Sequence, residues 1–203
     1  MTFECISPER AADIRTAVKL KYQAVAVRPD GHFPYPVGGK SVLKLGYDPR
    51  WLEAIPADVV NRFVGVGNPF SIRAPQPGDR VLDAGCGCGL DTFVAASLAG
   101  SEGQAVGLDL TAEMLAWGRA AAATCGPGNL EFREGSVEAL PFGDATFDLV
   151  ISNGILNLVP DKAAAFSEIA RVLRPEGALA AADLVMVETI PPEVLATTDA
   201  WSA

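Results

Sequence analysis

One segment constrains this chain more than any other: Val81-Leu82-Asp83-Ala84-Gly85-Cys86-Gly87-Cys88-Gly89. Arg80 to Ala84 reads as a buried strand, because a short apolar run behind the Pro77-Gly78 turn has nowhere polar to face. Leu90, Phe93, Val94 and Leu98 then recur at helical spacing until Gly100. The three glycines between strand and helix permit positive φ and let a ligand approach the backbone closely. The helix that follows offers unpaired amides and the positive end of a dipole.

The same unit repeats down the chain. Strands are predicted over Ala105–Asp109, Leu130–Glu134, Phe147–Ser152 and Ala178–Val187, the last after the turn Arg174-Pro175-Glu176-Gly177. Helices are predicted from Thr111, as N-cap, to about Ala123, and from Asp161, with Phe166, Ile169, Ala170 and Leu173 on one face. Strands alternating with helices give an α/β fold with a parallel sheet and right-handed crossovers. Residues 1–75 differ in texture. They are rich in proline, glycine and aromatics, with helices expected at about 8–24 and 57–64, and read as a helical, loop-rich cap on a core at 76–203.

Charge and composition narrow the partners. A net charge of −9 argues against a phosphate backbone as the main target and favours small-molecule chemistry. No apolar run approaches the roughly 20 residues of a membrane helix, and Met1-Thr2-Phe3-Glu4 does not open a secretory signal, so cytoplasmic residence is the expectation. The four cysteines, Cys5, Cys86, Cys88 and Cys125, and the single His32 lack the paired spacing of a zinc site, so no metal is expected.

Asp109 ends the second strand, 20 residues beyond Gly89, where a carboxylate can accept two hydrogen bonds from ribose hydroxyls. The spacing is G-x-G-x-G rather than G-x-G-x-x-G, and Asp83 stands two residues before Gly85. That acid suits the amino group of a methionine moiety and would repel a pyrophosphate, which disfavours a nicotinamide-dependent oxidoreductase. Gly85, Cys86, Gly87 and Gly89 form the expected cofactor turn, the cysteines serving there through small size.

Together with Gly107-Leu108-Asp109, Glu138-Ala139-Leu140-Pro141-Phe142 and Arg171-Val172-Leu173-Arg174-Pro175-Glu176-Gly177, this segment resembles the class I S-adenosylmethionine methyltransferases over about residues 65–188. The resemblance implies a Rossmann-like sheet of order 3-2-1-4-5 with S-adenosyl-L-methionine across its carboxyl edge. It also implies site residues: Tyr22 closing over the methionine part, Met114 packing on adenine beside Leu110, Ser136 and Val137 at the polar edge of the base, and Asn153, just past the fourth strand, at the methyl-transfer site. A narrower likeness to arsenite methyltransferases lies in Gly65-Val66-Gly67-Asn68-Pro69, Asp109–Leu115 and Ile151–Lys162. That family usually carries cysteine where this chain has Val66 and Gly154. Arsenic requires thiolates, so the scaffold is shared without the ligands.

The function implied is methyl transfer to a small molecule, with a non-catalytic S-adenosylmethionine-binding subunit as the alternative. No residue stands out as catalytic, since alignment and desolvation can suffice for an in-line displacement. Tyr22, Phe33 and Tyr35 could seal a substrate, His32 could act as a base, and Asn157 could cap or face the site. Only 15 residues follow Glu188, too few for the hairpin of strands 6 and 7 that normally completes this fold. The last strand would then be an apolar edge. Three accounts stay open: a longer natural chain, a partner chain supplying the strands, or pairing of two copies.

Overall fold

The computed structural model describes residues 6–185 together with 187, 197 and 201. Its centre is a five-stranded, all-parallel sheet: β1 (Arg80–Ala84), β2 (Gln104–Asp109), β3 (Leu130–Glu134), β4 (Phe147–Asn153) and β5 (Leu173–Ala182), in the order β3-β2-β1-β4-β5. Strand reversal from β1 to β2 on one side and from β1 to β4 on the other makes the carboxyl end of β1 a switch point, where such sheets open a crevice. Register places Asp83 beside Gly107 and Ile151, so the glycine turn emerges in the middle of the sheet edge.

Because both faces are covered, the inner strands are apolar on both faces rather than alternating, with Asp83 and Asp109 as exceptions near their carboxyl ends. Val81, Ala105, Leu149 and Ile151 pack on one face against Phe93, Val94 and Leu115 from α5 (Leu90–Ala99) and α6 (Ala112–Cys125). Leu82, Val106, Leu108 and Val150 pack on the other against Ala165, Ile169 and Val172 of α7 (Lys162–Val172). The buried stripe of α7 is therefore Ala165, Ile169 and Val172. Phe166, expected on that face, is 47% exposed, since a stripe at 165, 169 and 172 turns the preceding and following positions outward.

The N-terminal segment forms α1 (Pro8–Val27) and three short helices, α2 (Gly39–Lys44), α3 (Pro49–Leu52) and α4 (Ala57–Val60). Ser7 caps α1, accepting from the Arg10 amide, with Pro8 at its first position. The helix expected at 57–64 is shorter, because the chain turns at Asn61 to bring Phe63 into the core. α2 and α3 have no amphipathic repeat long enough to announce them. Asp161 caps α7 as expected, accepting from the Ala164 amide. Thr111 holds the N-cap position of α6, but its side chain makes no capping bond; the Asp109 carboxylate takes the Thr111 amide instead.

The fifth strand also differs from expectation. It runs from Leu173 to Ala182 and stops before Asp183, whose carboxylate accepts the Leu156 and Asn157 amides and turns the chain away from the ladder. Glu176 has φ +68°, so the expected turn survives as a kink within the strand. Among the described residues β5 is one edge of the sheet and β3 the other, and the positions expected to form a short helix after Pro192 lie outside them. No helix among the described residues is long and apolar enough to cross a membrane.

These packing differences set an expected outcome for two neighbouring side chains of α7. Ile169→Ala, which empties a site 2% exposed, should cost about 2–5 kcal/mol in chemical denaturation, whereas Phe166→Ala should cost less than about 1 kcal/mol.

Candidate functional site

The glycine turn is shaped by the end of β2. The Gly85 and Cys86 amides both donate to the Leu108 carbonyl, at 2.8 and 2.9 Å, and the Gly87 amide donates to Asp109 Oδ2 at 2.8 Å. Asp109 Oδ1 accepts the Thr111 amide at 2.8 Å. One carboxylate thus ties the turn to the start of α6 while each oxygen keeps a lone pair for a ligand. Gly85 has φ +80°, and a Cβ there would stand 2.5 Å from the Ile155 side chain. Glycine at this position is required by conformation and by space.

Over this edge lie two adjoining cavities that share Tyr22, Gly85, Asp109 and Ile155 in their walls. The first is a mostly apolar slot that includes Val18, Leu110, Val137 and Val159, with Ser136 at its rim. The second is polar and includes Asp83, Cys86, Gly87, Asp91, Arg62 and Asn153. A slot for a flat base, a carboxylate between the two, and a polar end suit a nucleoside joined to an amino acid.

The roof is α1. Arg15, Lys19 and Gln23, spaced four apart on one face, each reach an acid of the core. Arg15 makes a bidentate pair with Glu138, at 2.6 and 2.9 Å; Lys19 meets Glu134 at 3.7 Å; Gln23 donates to Glu113 at 2.8 Å. Tyr22 lies between them facing both cavities, its hydroxyl pKa raised by burial. At the end of α1 the Trp117 indole donates to the Ala26 carbonyl at 3.0 Å.

At the polar end the expected Asp83 and Asn153 are joined by Tyr47, Asp91 and Thr92, which the sequence did not reveal. Asn153 Oδ1 accepts the Val66 and Gly67 amides at 2.8 and 3.1 Å, and its Nδ2 donates to Asp91 Oδ2 at 2.9 Å. The Tyr47 hydroxyl donates to Asp91 Oδ1 at 2.6 Å, and Thr92 donates to Asp83 Oδ2 at 2.7 Å. Burial raises the pKa of Asp91 to about 6, and raises that of Asp83 well above the ordinary carboxylate range with help from the Asp91 charge. Burial also raises Asp109. Desolvated carboxylates of this kind favour a ligand that brings positive charge or hydroxyl donors.

Of the expected residues, Tyr22, Asp83, Gly85, Cys86, Gly87, Asp109, Leu110, Ser136, Val137 and Asn153 line the cleft. Two do not. Met114 is wholly buried, its sulfur 3.7 Å from Cys88 Sγ, and Gly89 packs on Phe132 under the turn. Asn153 is the last residue of β4 rather than one past it, and its amide serves the 65–67 loop. Phe33 and Tyr35 stack outward from Tyr22, at 6.2 Å for Tyr22–Phe33 and 5.2 Å for Phe33–Tyr35, and with His32 stay outside both cavities. Cys88 and Cys86 are kept as thiols by burial, Cys88 being raised to about 12. No cluster of metal-ligating side chains occurs among the described residues.

A parallel 3-2-1-4-5 sheet with a glycine turn at β1 and an acid at the end of β2 defines the class I S-adenosylmethionine-dependent methyltransferases, and S-adenosyl-L-methionine is the cofactor that class implies. Residues 75–202 match the methyltransferase domain family, and the chain belongs to it. An arsenite methyltransferase of Halobacterium salinarum is 40% identical over 151 residues, 74% of this chain and 38% of that protein. A demethylmenaquinone methyltransferase of Shouchella clausii is 35% identical over 119 residues, 59% of this chain and 48% of that one. The crystal structure of an arsenic(III) S-adenosylmethionine methyltransferase from Chlamydomonas reinhardtii superposes with a TM-score of 0.60 at 35% identity, covering 79% of this chain and 53% of that chain. This chain spans less than half the length of the two curated relatives.

The raised Asp91 gives a pH signature. A carboxyl whose folded pKa is raised binds its proton more tightly when folded, so stability falls as pH rises from the ordinary carboxylate value, about 4, to about 6. Asp91→Asn should flatten that fall, seen as a smaller change of melting temperature between pH 4 and 7 than in the unaltered chain.

Proposed function

We propose that this chain transfers a methyl group from S-adenosylmethionine to an organic small molecule. The observation that carries the reading is Asp109, standing between an apolar slot and an acidic recess and reaching both. In this reading Asp109 accepts the ribose hydroxyls, and Leu110 and Val137 flank adenine with Ser136 at its edge. Asp83 faces the methionine ammonium, and Gly85, Cys86 and Gly87 give the backbone room. Tyr22 closes over the sulfonium end and excludes water. Bound there, the cofactor supplies an electrophilic methyl on sulfur. An acceptor lone pair held in line with the carbon–sulfur bond would take that methyl and leave S-adenosylhomocysteine, the residues named here contributing alignment and exclusion of water.

Val66 and Gly154 bear on the acceptor. A Cβ at Gly154 would lie 3.3 Å from Val66 Cγ1, so the two positions face each other beside Asn153. Cysteines there could grip one arsenic atom together, whereas valine and glycine offer an apolar wall. The buried thiols of Cys86 and Cys88 are poor substitutes, because soft-metal capture needs the thiolate and burial holds the proton on. An organic acceptor, as in the relative named a demethylmenaquinone methyltransferase, suits this wall better.

Asp109→Ala should weaken S-adenosylmethionine binding by about 1.5–3 kcal/mol in calorimetric titration, and unchanged affinity with the fold intact would overturn the ribose assignment. Release of S-adenosylhomocysteine in the presence of organic acceptors, with none above background for arsenite, is the expected result of an acceptor panel. Turnover of arsenite by the unaltered chain overturns the acceptor reading, and binding without turnover of any acceptor makes the chain a binding subunit.

A further inference from the structure

The polar recess of the cleft is unbalanced in charge. Asp83, Asp91 and Asp109 line it, while Arg62 is the one cation among its described lining residues. Arg62 follows α4, at the point where the N-terminal segment meets α6, and its side chain is 16% exposed.

Its guanidinium is held from several directions. Cζ lies 3.4 Å from the centre of the Trp117 ring, Nε donates to the Ala26 carbonyl at 3.3 Å, and Nη1 donates to the Asp58 carbonyl at 3.1 Å and carboxylate at 3.3 Å. Nη2 donates to no group among the described residues. The Asp58 carboxylate is 73% exposed, so water screens its pairing and leaves most of the guanidinium charge unneutralised. Stacking on an indole and donating to two carbonyls fixes the plane of the fork without satisfying it. That is a preorganised donor for a planar anion, made at little further entropic cost.

We propose that Arg62 binds the α-carboxylate of the amino-acid portion of the ligand in this cleft. The inference rests on the reading of the cleft as an S-adenosylmethionine site, where the carboxylate is that of the methionine moiety. Adenosine alone has no group for a guanidinium here, and an amine without a carboxylate would meet Asp83 but leave Nη2 empty. A zwitterion answers both: its ammonium goes to the acids at the foot of β1 and its carboxylate to the rim at Trp117. Arg62 then selects amino-acid-bearing nucleosides over plain ones.

Calorimetric titration of the full chain with S-adenosylmethionine and with decarboxylated S-adenosylmethionine, which lacks only the carboxylate, tests this. Arg62→Gln should weaken S-adenosylmethionine by about tenfold or more and decarboxylated S-adenosylmethionine by less than about twofold. Arg62→Lys should fall between, keeping charge but losing the fork. Equal losses for both ligands mean that Arg62 only fastens the N-terminal segment to α6, and no loss means that it does not meet the ligand; either result overturns the assignment. Should Arg62→Gln not fold, the unaltered chain still decides. It must prefer S-adenosylmethionine although the acids of the recess favour the more cationic decarboxylated form, and equal or reversed affinities overturn the proposal. Binding of S-adenosylmethionine with no Arg62 effect defeats this inference alone; failure to bind either compound defeats the cofactor reading and this inference together.

Discussion

Three carboxylates gathered at the carboxyl edge of the sheet, Asp83 and Asp91 buried and Asp109 half-buried, set the terms for everything around them. A desolvated Asp must be hydrogen-bonded, neutralised by proton or cation, or paired, and its neighbours are arranged accordingly. Asp109 takes two backbone amides, which fixes the glycine turn and the entry to α6. Asp83 takes the Thr92 hydroxyl from the helix that the turn launches. Asp91 takes Tyr47 and Asn153, and through Asn153 it fixes the loop at Val66 and Gly67. Strand ends, turn, helix start and N-terminal loops are thus joined by the satisfaction of three charges.

The cost of that arrangement is also its use. Each acid would be better solvated in water, so the native chain without ligand stores an electrostatic demand that a suitable ligand relieves. The first cavity makes no such demand, being apolar with Arg15 already committed to Glu138. Shape recognition belongs to one end of the cleft and charge recognition to the other, with Asp109 common to both.

The strands were legible because a parallel sheet covered on both faces writes itself as unbroken apolar runs such as Ala105–Leu108 and Leu149–Ile151. Asp83, Asp109 and the glycines were legible because their chemistry and spacing lie within 27 residues of chain. Tyr47, Asp91 and the bonds that tie them to Asn153 were not. Their bonds join residues 44, 62 and 106 positions apart, and Asp91 in isolation looks like any acid in a helix's first turn. Met114 misled because a methionine after the acid can face the base or the core with the same sequence, and here Cys88 and α1 claim it. Phe166 misled because a large apolar residue next to the true stripe outweighs the alanine at 165. The end of β5 depended on Asp183 capturing amides from another segment, which no local pattern announces.

The roof of the cleft comes from a different stretch than its floor. Arg15, Tyr22 and Arg62 all precede residue 75, where the family match begins, while the glycines and Asp109 follow it. The segment matched by the family therefore carries the floor of the cleft, its glycine turn and Asp109. The wall at Val66 draws on both stretches, Val66 preceding residue 75 and Gly154 and Asn153 following it. A change in either stretch alone therefore reshapes that wall, although the two lie almost ninety residues apart in sequence.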